Sequence, residues 1–111
     1  MVKASVDRET LDLIRRVVLE EAEKLGVTVE RIILFGSRAR GDAREDSDWD
    51  ILIVVSEDAS PQALKQLRRS LYLRLSIPVD VITVRRSYWI KYRESPGTIA
   101  YEAVREGVPI A

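Results

Sequence analysis

The sequence predicts an α/β domain in which a small mixed three-stranded sheet has helices packed against it. Three apolar runs, at 31–35, 51–55 and 79–84, have the length and the β-branched content of buried strands. Between and around these runs, apolar residues recur at the spacing of an amphipathic helix. Strands and helices that follow one another in this way indicate the α/β class.

The first helix is predicted over 7–25. Gly26 follows it as the residue that ends the helix. Its apolar stripe consists of Leu11, Ile14, Val18, Ala22 and Leu25. We expect the charged residues near the helix end to be solvated, namely Glu20, Glu21, Glu23 and Lys24.

The later elements follow from capping residues and apolar spacing. Ser60 and Pro61 suit the N-cap and first position of a helix whose apolar stripe is Leu64, Leu67, Leu71 and Leu75. Pro78 interrupts this helix before the third strand. Ser87 is predicted to cap a short helix, and Ser95 with Pro96 to start a last helix that stops at Gly107.

Length and composition limit the chemistry that the chain can perform. Its 111 residues fit a single domain, so we expect one domain over 1–111. Eighteen basic and 18 acidic side chains give zero net charge, and bulk electrostatics therefore do not indicate a nucleic-acid binder. The chain has no Cys and no His, which excludes a thiol nucleophile and an imidazole base or metal ligand. Acid-base and metal chemistry must depend on carboxylates.

The sequence gives no sign of a membrane segment. Residues 1–12 have no apolar signal core, and no apolar run approaches the length of a membrane span. We therefore expect a cytoplasmic protein.

The stretch from Gly36 to Asp50 joins the first two strands and contains most of the candidate functional residues. If these strands pair antiparallel, Gly36 and Ser37 lie next to Asp48 and Asp50. Gly36 permits close approach of the backbone, and a strand-to-helix turn offers N–H groups to an anion. Asp48 and Asp50 point to one side of the strand while Trp49 points into the core. This arrangement predicts a phosphate cradle that faces a carboxylate pair suited to magnesium.

Each part of this stretch also has a simpler interpretation. A Gly-Ser pair is usually only a turn, and an Asp-x-Asp at the start of a strand is often solvated surface. Taken together, the pair, a ten-residue spacer and Asp48-Trp49-Asp50 form a far more specific pattern than either part alone.

This compound pattern resembles the signature of the DNA polymerase β-type nucleotidyltransferase superfamily. The short chain resembles the minimal nucleotidyltransferase branch, whose members often act as antitoxins beside a HEPN-domain toxin. The resemblance extends from about Arg31 to the C-terminus. It implies the polymerase β-type nucleotidyltransferase fold, with ATP as substrate and two Mg²⁺ ions as cofactors.

The resemblance also implies roles for individual residues. Asp48 and Asp50 would hold the two metal ions, and Asp80 on the third strand would complete the site and accept a proton. Gly36 and Ser37 would hold the departing phosphates. From the pattern alone, Asp80 is equally well explained as an acid on an exposed strand face.

Basic residues near the motif leave alternatives open. Arg38 and Arg40 follow the Gly-Ser turn and could reach phosphate, or could pair with acids of the same connection. The segment 85–93 mixes basic and aromatic residues, which favours packed aromatics and solvated charges over a nucleic-acid site.

Four functions are compatible with these residues. The favoured one is an antitoxin that transfers AMP from ATP to a hydroxyl, such as a tyrosine, of a HEPN-domain toxin. The others are the same chemistry on a small molecule or RNA, a non-catalytic module that silences its partner by binding, and an unrelated α/β domain. The sequence leaves the acceptor, the nucleotide preference and the oligomeric state open.

Overall fold

The computed structural model describes residues 7–111 and contains five helices and four strands in that range. The helices are α1 (Arg8–Lys24), α2 (Ser37–Arg40), α3 (Pro61–Arg74), α4 (Arg86–Tyr92) and α5 (Ile99–Glu106). The strands are β1 (Val29–Phe35), β2 (Trp49–Val55), β3 (Val79–Arg85) and β4 (Val108–Pro109).

The sheet is mixed, as predicted, but it has a fourth strand. Its order is β3-β2-β1-β4, with β1 antiparallel to β2 and to β4, and β2 parallel to β3. The prediction of three strands missed β4, which pairs Val108 with Leu34 and Pro109 with Ile33. Two residues are too short for an alternating pattern, and proline in a strand is confined to edges such as this one.

The sheet separates two apolar cores. On one face, α1 and α3 pack Ile14 and Leu67 against Ile51 and Ile53 of β2. On the other face, α4 and α5 pack against Leu52 and other residues of β1 and β2. Strand β2 is buried on both sides, which explains its continuous apolar run. The polar residues at its start therefore lie on a rigid support.

Helix α1 is one residue shorter at each end than the predicted range 7–25, and one side chain differs from the prediction. Asp7 caps its N-terminus by accepting from the backbone N–H of Glu9 and Thr10, and Gly26 has a φ of +68° just beyond its end. The prediction that Glu21 is solvated is wrong, because Glu21 is only 7% exposed. Its carboxylate accepts from Lys24 of α1 and from Arg74 of α3.

Two helices begin at other residues than predicted. Helix α4 begins at Arg86, directly after β3, so Ser87 lies inside the helix and does not cap it. Helix α5 begins at Ile99, where the Thr98 hydroxyl accepts from the N–H of Tyr101. The same hydroxyl donates to the carbonyl of Tyr92, the last residue of α4, and to that of Ser95 in the preceding turn. Ser95 and Pro96 belong to that turn.

Within residues 7–111, no helix combines the length and the apolar composition needed to cross a bilayer.

Candidate active site

The end of β1 meets the start of β2 at Gly36. The antiparallel register pairs Phe35 with Asp50, so the next residue, Gly36, lies beside the Asp50 side chain. A Cβ atom added to Gly36 would lie 2.1 Å from Oδ2 of Asp50. Gly36 also has a φ of +73°, which side-chain-bearing residues rarely adopt. Only glycine brings the backbone this close to the carboxylate.

Strand β3 adds a second carboxylate on the same face. Because β2 and β3 are parallel and in register, Asp80 is the direct neighbour of Asp50, and side chains in register point to one side of a sheet. Asp48 precedes Asp50 by two residues and is exposed, as is Asp80, whereas Asp50 is half-buried. The structure thus brings together the predicted Gly36, Asp50 and Asp80.

The electrostatics of Asp50 reflect this crowding. Burial raises the pKa of the Asp50 carboxyl above its ordinary value, and the negative charges of Asp80 and Asp48 raise it further. The nearby Arg40 acts in the opposite direction. A cation placed among the three carboxylates would remove the repulsion that raises this pKa.

The three carboxylates are of the chemical type that a hard divalent cation prefers. Three carboxylates supply the oxygen ligands that magnesium prefers, and the missing Cβ of Gly36 leaves the Asp50 carboxylate room beside the turn. In the part of the chain that the structure describes, however, no three carboxylate, thiol or imidazole groups are arranged closely enough to hold a metal ion. Coordination by Asp48, Asp50 and Asp80 therefore stays a proposal.

Ser37 starts helix α2, the short helix that the sequence predicts after the turn. Gly36 is its N-cap, and the Gly36 carbonyl accepts from the N–H groups of Ala39 and Arg40. Ser37 therefore directly follows the glycine whose backbone lies beside the Asp50 carboxylate.

Arg38 bonds to backbone rather than to an acidic side chain. Its Nε and Nη2 donate to the Ser47 carbonyl at 3.2 and 2.9 Å, and Nη2 also donates to the Glu45 carbonyl at 3.0 Å. The guanidinium carbon lies 4.7 Å from the centre of the Trp49 ring. Trp49 is 7% exposed and belongs to the core, as predicted.

A cavity beside Gly36 brings in residues that the sequence did not indicate. Arg40 pairs with Asp42 in the connection and, at 2.9 Å, with Glu106 of α5. The cavity, of about 380 Å³, is lined by Phe35, Gly36, Arg40, Gly97, Thr98, Ile99, Glu102 and Glu106. The α5 residues lie about 60 positions from the motif, and no local pattern connects them to it.

The basic and aromatic segment 85–93 is mainly structural. Trp89 is 5% exposed and packs in the second core. Arg85 donates to the carbonyl of Ala59, and Arg86 forms an ion pair with Glu30. These contacts agree with the interpretation that the aromatic residues pack, but two of the bases are engaged rather than freely solvated.

Comparison with known proteins identifies the family. A family model described as "nucleotidyltransferase domain" matches residues 14–103, which include the Gly-Ser turn and all three aspartates. The chain belongs to the nucleotidyltransferase domain family. It is therefore an enzyme of the nucleotidyltransferase class, and its small α/β fold is that of the minimal members.

The similar proteins agree with this family. Two proteins of Methanocaldococcus jannaschii, both named "putative protein adenylyltransferase", are 34% and 37% identical over 76 and 79 residues. The matches cover 67% and 68% of this chain and 74% and 90% of those proteins.

Solved structures share the fold. The structure of a "putative minimal nucleotidyltransferase" superposes with a TM-score of 0.62 and 31% identity, covering 93% of this chain and 95% of that one. The MntA-HpeT toxin-antitoxin structure has a TM-score of 0.57 and 18% identity, covering 86% and 71%, and it supports the fold alone.

Proposed function

We propose that this nucleotidyltransferase transfers AMP from ATP to a hydroxyl of a partner protein, and that it acts in the cytoplasm as the antitoxin of a HEPN-domain toxin. The acceptor that we favour is a tyrosine. The observation that carries the proposal is the position of Asp50. Asp50 is in register with Asp80, and its carboxylate lies so close to the Gly36 backbone that a residue with a side chain could not replace Gly36 without displacing it.

In this proposal Asp48, Asp50 and Asp80 hold two Mg²⁺ ions. Bound there, the ions would neutralise phosphate charge and favour ionisation of the attacking hydroxyl. The raised pKa of Asp50 supports such a site, because crowded carboxylates are relieved by a cation.

The protein's own groups handle the phosphates and the proton. The Gly36 backbone and the Ser37 hydroxyl hold the β- and γ-phosphates at the turn. The acceptor oxygen forms a bond to the α-phosphorus as the bond from that phosphorus to the bridging oxygen breaks, and pyrophosphate leaves. Asp80 takes the hydroxyl proton. Asp80 is exposed, so an acceptor can approach it from solvent.

A protein acceptor is favoured by two observations. The relatives from Methanocaldococcus jannaschii are named as putative protein adenylyltransferases. In addition, Asp48 and Asp80 are exposed, so a side chain presented by another protein can reach them. A small helical protein with an Arg-x4–6-His motif, encoded beside this chain, is the partner that we would test first.

The test is label transfer. The wild-type protein is incubated with α-labelled ATP, Mg²⁺ and the candidate toxin, and the labelled residue is identified by mass spectrometry. The double variant Asp48→Asn with Asp50→Asn should transfer no label. Asp46→Asn is the matched control, because Asp46 is an exposed acid of the same connection that we place outside the site.

Two outcomes would contradict the proposal. If the double variant silences the toxin as well as the wild type does, and no label is transferred by either, the chain acts by binding. If label reaches a small molecule or RNA but not the toxin, the acceptor is wrong while the chemistry stands.

A further inference from the structure

The connection between α2 and β2, residues 41–48, delivers Asp48 to the site without regular secondary structure. A local turn organises part of it: the Ser47 N–H donates to the Arg44 carbonyl at 3.0 Å, and the Ser47 hydroxyl accepts from the Arg44 N–H at 2.9 Å. This turn stops one residue before Asp48. The position of Asp48 therefore depends on what holds the residues beside it.

Arg38 holds both neighbours of Asp48. Two of its nitrogens donate to the carbonyl of Ser47, and its guanidinium carbon lies 4.7 Å from the centre of the Trp49 ring. A further bond, to the Glu45 carbonyl, fixes the connection two residues earlier. Arg38 is half-buried, and its two bonds to the Ser47 carbonyl are partly shielded from solvent, whereas the bond to the Glu45 carbonyl is exposed.

We propose that Arg38 is a positioning residue that ties the Gly-Ser turn to Asp48 and sets that carboxylate for cation binding. Arg38 directly follows Ser37 in α2, and so one side chain connects the phosphate side of the site to its carboxylate side. This inference rests on the proposed role of Asp48 as a metal ligand. Groups that orient a ligand from behind commonly change metal affinity by about 10–100-fold when they are removed.

The contacts require the shape of arginine, not only its charge. The planar guanidinium presents several N–H groups in a fixed fork and stacks on an aromatic face at the same time. Lysine is a point charge on a flexible stem and cannot bond two carbonyls while it lies flat on the Trp49 ring. A lysine at position 38 should therefore fail to restore the role.

A direct contact between Arg38 and phosphate, which the sequence also permits, makes the opposite prediction. In that case the positive charge would matter most, and lysine would restore much of the nucleotide affinity because it is itself a common phosphate binder. The guanidinium would also have to leave carbonyls that it bonds at 2.9–3.2 Å. The two roles can be separated by measuring cation and nucleotide binding independently.

The experiment compares Arg38→Gln and Arg38→Lys with the wild type. Mn²⁺ affinity is measured by the loss of the free-ion signal in electron paramagnetic resonance. ATP affinity is measured by calorimetry in the presence of a metal chelator, so that no divalent cation contributes to it. Arg69→Gln is the matched control, because Arg69 is an exposed arginine of α3, the helix that packs on the face of the sheet opposite to Asp50 and Asp80. Asp48→Asn reports whether the aspartate binds the ion. Circular dichroism checks that each variant is folded at the temperature used.

We expect both Arg38 variants to bind Mn²⁺ about tenfold more weakly, in line with loss of an orienting group. We expect Arg69→Gln to match the wild type. With the chelator present, ATP affinity should stay within about twofold of the wild type for both Arg38 variants and for Arg69→Gln. Lysine should give no rescue.

Three results would overturn the proposal. Wild-type Mn²⁺ affinity in Arg38→Gln, with loss in Asp48→Asn, removes the positioning role but leaves the proposed function intact. Restoration by Arg38→Lys, with a loss of ATP affinity in Arg38→Gln, assigns Arg38 to phosphate. Wild-type Mn²⁺ affinity in Asp48→Asn removes the metal site of the proposed function and this role with it.

Discussion

Gly36 and Asp50 lie so close that a single methyl group on Gly36 would stand 2.1 Å from the Asp50 carboxylate. The contact joins the end of β1 to the start of β2, where the candidate active site is built. Two separate constraints therefore favour glycine at position 36: its φ of +73° and the lack of space for a Cβ atom beside Asp50. The two can be tested apart.

We predict that Gly36→Ala abolishes label transfer, because the new Cβ displaces Asp50. Gly26→Ala is the matched control, since Gly26 has a φ of +68° but nothing within 4 Å of its added Cβ. Both variants should lose about 1–2 kcal/mol of unfolding free energy from the positive φ. Only Gly36→Ala should lose activity. Equal activity in the two variants would show that the contact with Asp50 is unimportant.

We predict that Asp50→Asn inactivates the enzyme and yet stabilises it at neutral pH. In the folded protein the pKa of Asp50 is raised by burial and by Asp80 and Asp48, so its charged form opposes folding. The gain should be present above the folded pKa and should vanish as the pH falls below the unfolded value. Chemical denaturation at several pH values measures it. Asp46→Asn, the control, should show no such pH-dependent gain.

Much of this site could be predicted from the sequence because its signals are local. The strands around the motif are apolar runs, and the antiparallel return that places Gly36 beside Asp50 follows from their closeness in the chain. The position of Asp80 could not be predicted from local sequence alone, because its register with Asp50 depends on a parallel crossover through α3. The family resemblance supplied that expectation, and the sheet places the two residues side by side.

The bonds of Arg38 and the burial of Glu21 could not be predicted from any sequence pattern. The bonds of Arg38 end on backbone carbonyls, and a carbonyl is present at every residue. The pattern predicts Glu21 as a solvated helix residue, but Glu21 is buried and its carboxylate accepts from Arg74, 53 positions later. In both cases the partner is set by tertiary structure.

We predict that Glu21→Gln destabilises the protein at neutral pH. Lys24 donates to the Glu21 carboxylate at 3.0 Å and Arg74 at 2.8 Å, and these bonds lower the pKa of Glu21. The stabilisation is therefore present above the unfolded pKa and is lost as the pH falls through the lowered folded value. Denaturation from pH 7 to pH 3 should show the wild type and variant converging. Glu23→Gln, an exposed neighbour, should match the wild type throughout, and the same pH trend in both variants would contradict the assignment.

We predict that Mg²⁺ raises the unfolding midpoint of the wild-type protein and that Asp50→Asn removes this response. A cation bound among Asp48, Asp50 and Asp80 stabilises the folded state by mass action, by about 2.7 kcal/mol at a concentration 100 times its dissociation constant. Scanning fluorimetry with and without Mg²⁺ measures the shift.

Gly26→Ala should respond like the wild type, because its backbone strain lies at the end of α1. Choline chloride of equal ionic strength distinguishes binding from screening, since screening alone would shift the wild type equally in both salts. An Asp50→Asn protein that still responds to Mg²⁺ would place the cation elsewhere, whereas loss of both the response and label transfer would tie the cation to the residue that Gly36 contacts.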